Sequence, residues 1–317
     1  MVNYCIKTPS DLVTSRERIR SGFIAMALEK NYIAVKYIEE AKALKSLSLR
    51  VSAPIDLLNI RDLRVGLLTA SGLSDKALNY LNEADKDIAI IGLVKEFLEP
   101  AGDHFVDELV YRYLLIKGDA LGGKARNLAG TLGERKFLRT ILSIFSLSGI
   151  EFKYLDSFIN KWLPSNEEDI NLENKVRALS WQVGGENRLL IKNANVPIVN
   201  KNVDFIVLDG SIEDLEKGEN SIKNRPDRFL ALGELKGGID PAGADEHWKT
   251  ANSALIRIRK AFEAKLLSPK TFFIASAIEN SMASEIFEEL QTEILTNAAN
   301  LTDDIQLTEI CSWIINL

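Results

Sequence analysis

Cysteine, histidine and methionine are scarce in this chain of 317 residues, which has two, two and three of them. Cys5 and Cys311 are too few for a disulfide framework and lack the paired spacing of a zinc site, so both are expected as reduced thiols with no structural metal. Long apolar runs are missing as well. The most apolar short stretch, Ile88 to Val94, is interrupted by Gly92 and followed by Lys95, far short of the ~20 residues a membrane helix needs. No basic segment leads into an apolar one near the N-terminus, so the expectation is a cytoplasmic protein without a membrane partner. Internal repeats and low-complexity tracts are absent too.

What remains is ordinary globular material, 46% hydrophobic and 26% charged, enough for one large domain or two modest ones. The formal net charge is −6, yet two stretches run the other way. Lys117, Lys124, Arg126, Arg135, Lys136 and Arg139 face only Asp119 and Glu134; Lys249, Arg257, Arg259, Lys260, Lys265 and Lys270 face only Glu263. A cationic run is usually a solvated helix face. Two in an acidic chain are compatible with a polyanionic partner bound locally, the acidic remainder discouraging indiscriminate binding.

The first hundred residues read as helical, with a Ser10-Asp11 cap pair before apolar residues at helical spacing, a first-turn Pro54, and Ser74-Asp75 capping a further run. Glu99 to Gly102 is punctuation, and Asp103 to Ile116 predicts a helix stopped by Gly118, so the domain boundary is expected near residue 100. Beyond Ile150 the texture changes. Strands are predicted at Arg177–Val183, Arg188–Lys192, Val203–Leu208, Phe229–Leu235 and Thr271–Ala277, with a hairpin turn at Gly184 to Asn187. Helices are predicted at Asp245–Leu267, Ser281–Glu293 and Thr302–Ile315, which together mean an α/β or α+β core on a mixed sheet.

The chemistry concentrates in Phe229 to Thr250. Glu234 and Lys236 lie two apart at the end of an apolar strand, so both leave the same face. Asp204, at the start of another apolar strand, converges on Glu234 if the strands are neighbours; Asp209 is the other candidate for that first carboxylate. Two carboxylates hold a hard cation such as Mg²⁺, while a lysine offsets phosphate charge and orients water, which suits phosphodiester hydrolysis. The Glu-x-Lys pattern recurs at Glu40, Glu134, Glu151, Glu173 and Glu263, so the pattern alone decides nothing. Glu40 and Glu263 fall on helices, where residues two apart do not face each other, and the serious rival is Glu151-Phe152-Lys153.

Only after Lys236 does a glycine-rich loop follow, Gly237 to Gly243, which allows close approach to a ligand. His247, in the first turn of the next helix, is a general-base candidate because the unperturbed pKa of histidine lies near neutrality, although a lone histidine is more often structural. His104 reads as a surface residue at a helix start and Trp248 as core. Asp119 to Gly130 sets Lys124 and Arg126 beside Gly122-Gly123 at an expected helix start, either a phosphate cradle or a plain glycine-mediated helix entry.

The stretch GELKGGIDPAGADEHWKTA, with GFIAMALEKN, GLSDKA, FLEPAG, RYLLIKGDALGG, SPKTFFIASAIENSMA and the ending CSWIINL, strongly resembles the AvaI/BsoBI family of type II restriction endonucleases along essentially the whole chain. The resemblance implies a PD-(D/E)XK restriction-endonuclease-like core, residues 101–317, with a mixed central sheet flanked by helices, and a helical domain over residues 1–100 that embraces DNA. It implies a homodimer encircling double-stranded DNA, reading CYCGRG and cutting with Mg²⁺ to leave 5′ overhangs, one active site per strand of a palindrome. Carried onto this chain, the metal-holding carboxylates are Asp204 and Glu234, the catalytic lysine Lys236, the base His247, and the base-reading residues Lys76, Lys201 and Asp240. Val203 stands where the motif's proline would, and the Asn-Val-Asp context favours Asp204 over Asp209. Two other readings keep different predictions: a repair nuclease cuts without a fixed site, and a non-catalytic DNA-binding protein binds without metal and does not cut.

Overall fold

The computed structural model describes residues 5–165, 170–215 and 218–317, without the side chains of Asp75, Ala125 and Arg126. The N-terminal part is helical, as predicted: α1 (Pro9–Leu12), α2 (Arg16–Ser48), α3 (Arg64–Ala70), α4 (Asp75–Leu78) and α5 (Glu83–Leu93), the last running into a π turn at Val94–Leu98. Caps set the starts. Ser74 Oγ accepts from the Ala77 amide at 3.2 Å, and Asn82 and Asp85 close a reciprocal capping box at the head of α5.

The next helix, α6 (Phe105–Ser148), corrects the sequence reading. It passes without a break through Gly118, Gly122, Gly123 and Gly130, where a helix stop and then a phosphate-binding helix entry are predicted. A glycine inside a helix costs only about 1 kcal/mol relative to alanine. The far half of α6 offsets that by burying Phe137, Leu138, Ile141 and Phe145 completely or nearly so. The amides of the Asp119–Gly130 stretch are therefore spent within the helix instead of offered to a phosphate.

The chain separates into two compact units, Ile24–Leu128 and Met1–Phe23 with Ala129–Leu317. The expected boundary near residue 100 thus falls inside the first of these, because α6 does not end at Gly118. The helical unit has its own core, in which Leu44 of α2, Leu67 of α3, Leu93 of α5 and Leu109 of α6 are buried.

The second unit is built on an eight-stranded sheet in the order β2-β1-β3-β4-β5-β6-β7-β8. Its strands are β1 (Phe152–Asp156), β2 (Trp162–Pro164), β3 (Val176–Val183), β4 (Glu186–Val196), β5 (Lys201–Asp209), β6 (Phe229–Lys236), β7 (Lys270–Ala275) and β8 (Asn297–Asn300). Neighbours are antiparallel as far as β6, and β6, β7 and β8 are parallel, joined by α7 (Ala244–Glu263) and α8 (Asn280–Gln291), with α9 (Asp304–Ile315) closing the chain. The mixed sheet and the helices flanking it match the expected fold class. Gly184 and Gly185, at φ 61° and 86°, make the β3–β4 connection a two-residue turn of the kind only such residues adopt easily.

Both faces of the central strands are covered, which is why β5, β6 and β7 read as near-continuous apolar runs. Trp248, Leu255 and Phe262 of α7 and Ile286 of α8 pack with Ile206, Leu232 and Phe273 on one side; Phe137 of α6 and Ile310 of α9 pack with Phe205, Ala231 and Phe272 on the other. Among the described residues no helix is long and apolar enough to cross a membrane.

Candidate active site

The β5–β6 ladder pairs Phe205 with Gly233, and one step further along the same register Asp204 comes opposite Glu234. There the strands part. The Leu235 amide, instead of continuing the backbone ladder, donates to Asp204 Oδ2 at 2.9 Å, which fixes that carboxylate beside the end of β6. Lys236, two residues after Glu234 and on the same face, sends its ammonium between the two acids, 2.9 Å from Glu234 Oε2 and 3.4 Å from Asp204 Oδ2. The three predicted residues are together.

Glu234 is 5% exposed. Burial, and then the negative charge of Asp204, push its pKa up to about 7 against the opposing pull of Lys236. For Lys236 burial works downward, but Glu234 and Asp204 more than reverse it and hold the ammonium above its usual range. Two acids share one cation, so the site is short of positive charge. That deficit, with oxygen donors only, fits a hard divalent ion. Among the described residues there is no group of three or more His, Cys, Asp or Glu side chains that could hold a metal, so two carboxylates are what this edge of the sheet offers.

The loop after Lys236 is clamped by glycines whose role the sequence does not reveal. A Cβ on Gly237 would overlap the Ala129 carbonyl oxygen of α6, and one on Gly133 would come within 2.8 Å of Gly237 Cα. On the other side, a Cβ on Gly22 of α2 would overlap the side chain of Ile239, which is itself buried. The only advance signal is glycine placed inside helical sequence. Asp240, exposed after Ile239, caps the following turn by accepting from the Ala242 amide at 3.0 Å, which leaves its second carboxylate oxygen as an acceptor. His247 stands exposed in the first turn of α7; a Cβ on Gly238 would lie 3.1 Å from its Nε2 and one on Gly243 3.5 Å. The ring thus occupies the space these two glycines leave open.

Of the remaining predicted residues, Lys201 shares β5 with Asp204, whereas Lys76, Lys124 and Arg126 lie on other elements. Lys201 is exposed at the first position of β5. Lys76 is exposed on α4 and Lys124 on α6, both in the helical unit, and Lys124 Nζ donates to the Tyr37 hydroxyl at 2.9 Å. Arg126 is on α6, with its side chain outside the described residues. His104 is exposed just before α6 and Trp248 is 1% exposed, as read.

The rival acids are occupied or isolated. Asp209, at the far end of β5, is held by Arg188 at 3.0 Å and Arg228 at 2.9 Å. Lys153 is exposed on β1, and the positions facing it on the adjacent strands are Ser180 and Pro164, so no carboxylate is presented to it there.

A family model described as restriction endonuclease BsobI matches residues 2–317. This chain belongs to that family. It is 53% identical over 314 residues to the type II restriction enzyme AvaI of a Nostoc species, covering 99% of each chain. It is also 49% identical over 315 residues to the type II restriction enzyme BsoBI of Geobacillus stearothermophilus, covering 98% of this chain and 97% of that one. Enzymes of this class are site-specific deoxyribonucleases acting on double-stranded DNA with a divalent metal ion. The AvaI/BsoBI resemblance carried by the GELKGGID stretch and its companions is therefore correct at the level of the family, and the non-catalytic reading falls away.

Proposed function

We propose that this chain is a Mg²⁺-dependent type II endonuclease that recognises CYCGRG in double-stranded DNA as a cytoplasmic homodimer and cuts to leave 5′ overhangs. The observation that carries the chemistry is the Asp204–Lys236–Glu234 cluster at the parting of β5 and β6. Asp204 and Glu234 hold the ion. When bound, it polarises the scissile phosphate and lowers the pKa of water.

Lys236 partly offsets the charge of Glu234 and Asp204, and its ammonium stabilises charge that develops on phosphate oxygens during attack. With the Glu234 carboxyl raised to about 7, an ion held by Glu234 would have to displace its proton near neutral pH. His247, exposed and seated over Gly238 and Gly243, accepts the proton of the attacking water. Lys76 and Lys201 donate to guanine N7 or O6, and Asp240 accepts from cytosine N4, which suits a G·C-rich site. Lys124 and Arg126 contact phosphates, and the helical part of the chain embraces the duplex. A two-fold dimer presents one such site to each strand of the palindrome.

Plasmid DNA of known sequence, incubated with the protein in Mg²⁺ and separately in EDTA and then sequenced at its ends, tests the reading. Discrete ends at CYCGRG in Mg²⁺ alone support it. Ragged ends indicate a nuclease without a fixed site, and discrete ends at another sequence overturn the assigned specificity.

A further inference from the structure

Lys236, Ala275 and Asn300 stand in register at the carboxyl ends of the three parallel strands. One residue on, the Ser276 amide donates to the Lys236 carbonyl at 2.9 Å. The Ser276 carbonyl accepts from the Thr14 hydroxyl at 2.8 Å, and that hydroxyl accepts from the Ile278 amide at 3.0 Å and from Asn300 Nδ2 at 2.8 Å. Asn300 Nδ2 also donates to the Leu12 carbonyl at 2.9 Å, and its amide donates to Gln306 Oε1 at 2.8 Å. Thr14, Ser276, Asn300 and Gln306 are 5%, 6%, 0% and 3% exposed.

Burying that many polar groups is unfavourable unless each is satisfied, and a satisfied network specifies one arrangement where apolar packing tolerates several. Leu12, fully buried, already anchors the N-terminal segment. What the polar network adds is register. Two residues after Thr14 the long helix α2 begins, tied again by Arg18 to Asp303 at 2.9 Å, and its second turn sets Gly22 against Ile239. Ile239 belongs to the loop between Lys236 and Asp240. The network therefore reaches that loop from both ends, through Ser276 at the strand and through the root of α2 at Ile239.

We propose that Thr14 and Asn300 are positioning residues for the cleavage reaction, fixing the strand end that carries Lys236 and the loop that follows it. This rests on the reading of Lys236 as catalytic. Neither residue touches the reacting atoms, and both act by holding others in place.

Thr14→Val keeps the shape and removes the hydroxyl, whereas Thr14→Ser keeps the hydroxyl. Misplacing a reacting group by about 1 Å through a change far from the chemistry can slow an enzyme by about a hundredfold. Single-turnover cleavage of plasmid DNA in Mg²⁺ is expected to fall by that factor in Thr14→Val, with DNA affinity in EDTA unchanged, and to recover in Thr14→Ser. A folded Thr14→Val enzyme that cuts at the parental rate overturns the proposal. So does a rate that falls only in step with the folded fraction, or a Thr14→Ser no faster than Thr14→Val. If Thr14→Val does not fold, Gly22→Ala alone and combined with Ile239→Ala takes its place: a slow single variant restored by the second substitution supports the coupling, and a fast single variant or no restoration overturns it. Lys236→Ala runs in parallel. Full activity there overturns the catalytic reading itself, whereas an inactive Lys236→Ala beside a normal Thr14→Val overturns the positioning role alone.

Discussion

Glu234 Oε2 and Lys236 Nζ lie 2.9 Å apart at the end of β6, where both groups are held above their ordinary pKa values. The Glu234 carboxyl is raised from 4.5 to about 7, first by burial and then by Asp204. A raised carboxyl favours folding below its unfolded value and loses that contribution as pH climbs through the folded one. The metal-free protein should therefore be less stable at pH 8 than at pH 5 through this group, by on the order of 1–3 kcal/mol. Glu234→Gln should remove the difference. Denaturant melts of both proteins in EDTA at the two pH values read it directly, and a parental protein with no greater loss at pH 8 than Glu234→Gln contradicts the assignment.

Cleavage should follow the same titration in the opposite sense. On the proposed reading Glu234 holds the ion in its ionised form, so the rate should fall as pH drops below about 7 at low Mg²⁺. Raising Mg²⁺ competes with the proton and should move the acid limb to lower pH. Rate profiles at two Mg²⁺ concentrations with coincident acid limbs would show that some other group sets the limb.

Asp204 and Asp209 separate by what they hold. Asp209 binds Arg188, a buried arginine, and Arg228, so Asp209→Ala should lower stability by about 1–3 kcal/mol while the folded fraction cuts normally. Asp204→Ala, which also leaves the Leu235 amide unpaired, should lose cleavage by a factor of about 10² or more even per folded molecule. Thermal melts and single-turnover rates on the two variants check both halves, and a swapped pattern assigns the first carboxylate to Asp209.

Gly122 and Gly237 look alike in the sequence and should respond oppositely to alanine. Gly122 lies inside α6 with open space around it, so Gly122→Ala should stabilise by about 0.5–1 kcal/mol and leave DNA binding intact. Gly237→Ala forces a methyl group into the Ala129 carbonyl and should destabilise the loop and suppress cleavage. A Gly122→Ala protein that loses affinity for DNA would restore the phosphate-cradle reading of that stretch.

These contrasts mark where sequence reasoning reaches and where it stops. Asp204, Glu234 and Lys236 were legible because strand alternation and a simple antiparallel register are enough to bring them together. The strands of the core and the three closing helices were legible for the same reason, their periodicity being local. The continuity of α6 was not, since the burial of Phe137 and Phe145 that outweighs its glycines is set by the sheet it lands on. β8, with the sequence Asn-Ala-Ala-Asn, has no strand signature at all and exists because β7 pairs with it. The contacts of Gly22 and Thr14 join residues more than two hundred positions apart, beyond any pattern in a window of sequence.

The role proposed for His247 depends on space more than on bonding. Its ring has no hydrogen bond or ion pair among the described residues, and Gly238 and Gly243 leave the room it occupies. A ring so placed is open to water, as the proposed base role requires. General-base catalysis of this kind contributes about 10²–10⁴-fold. His247→Ala should therefore slow single-turnover cleavage by a factor in that range with DNA affinity unchanged, and the residual rate should rise continuously with pH as hydroxide replaces the missing base. Gly238→Ala, which crowds Nε2 without removing it, should fall between parent and His247→Ala. Near-parental cleavage in His247→Ala would exclude the base role and leave His247 as a phosphate contact, in which case the affinity for DNA should drop instead.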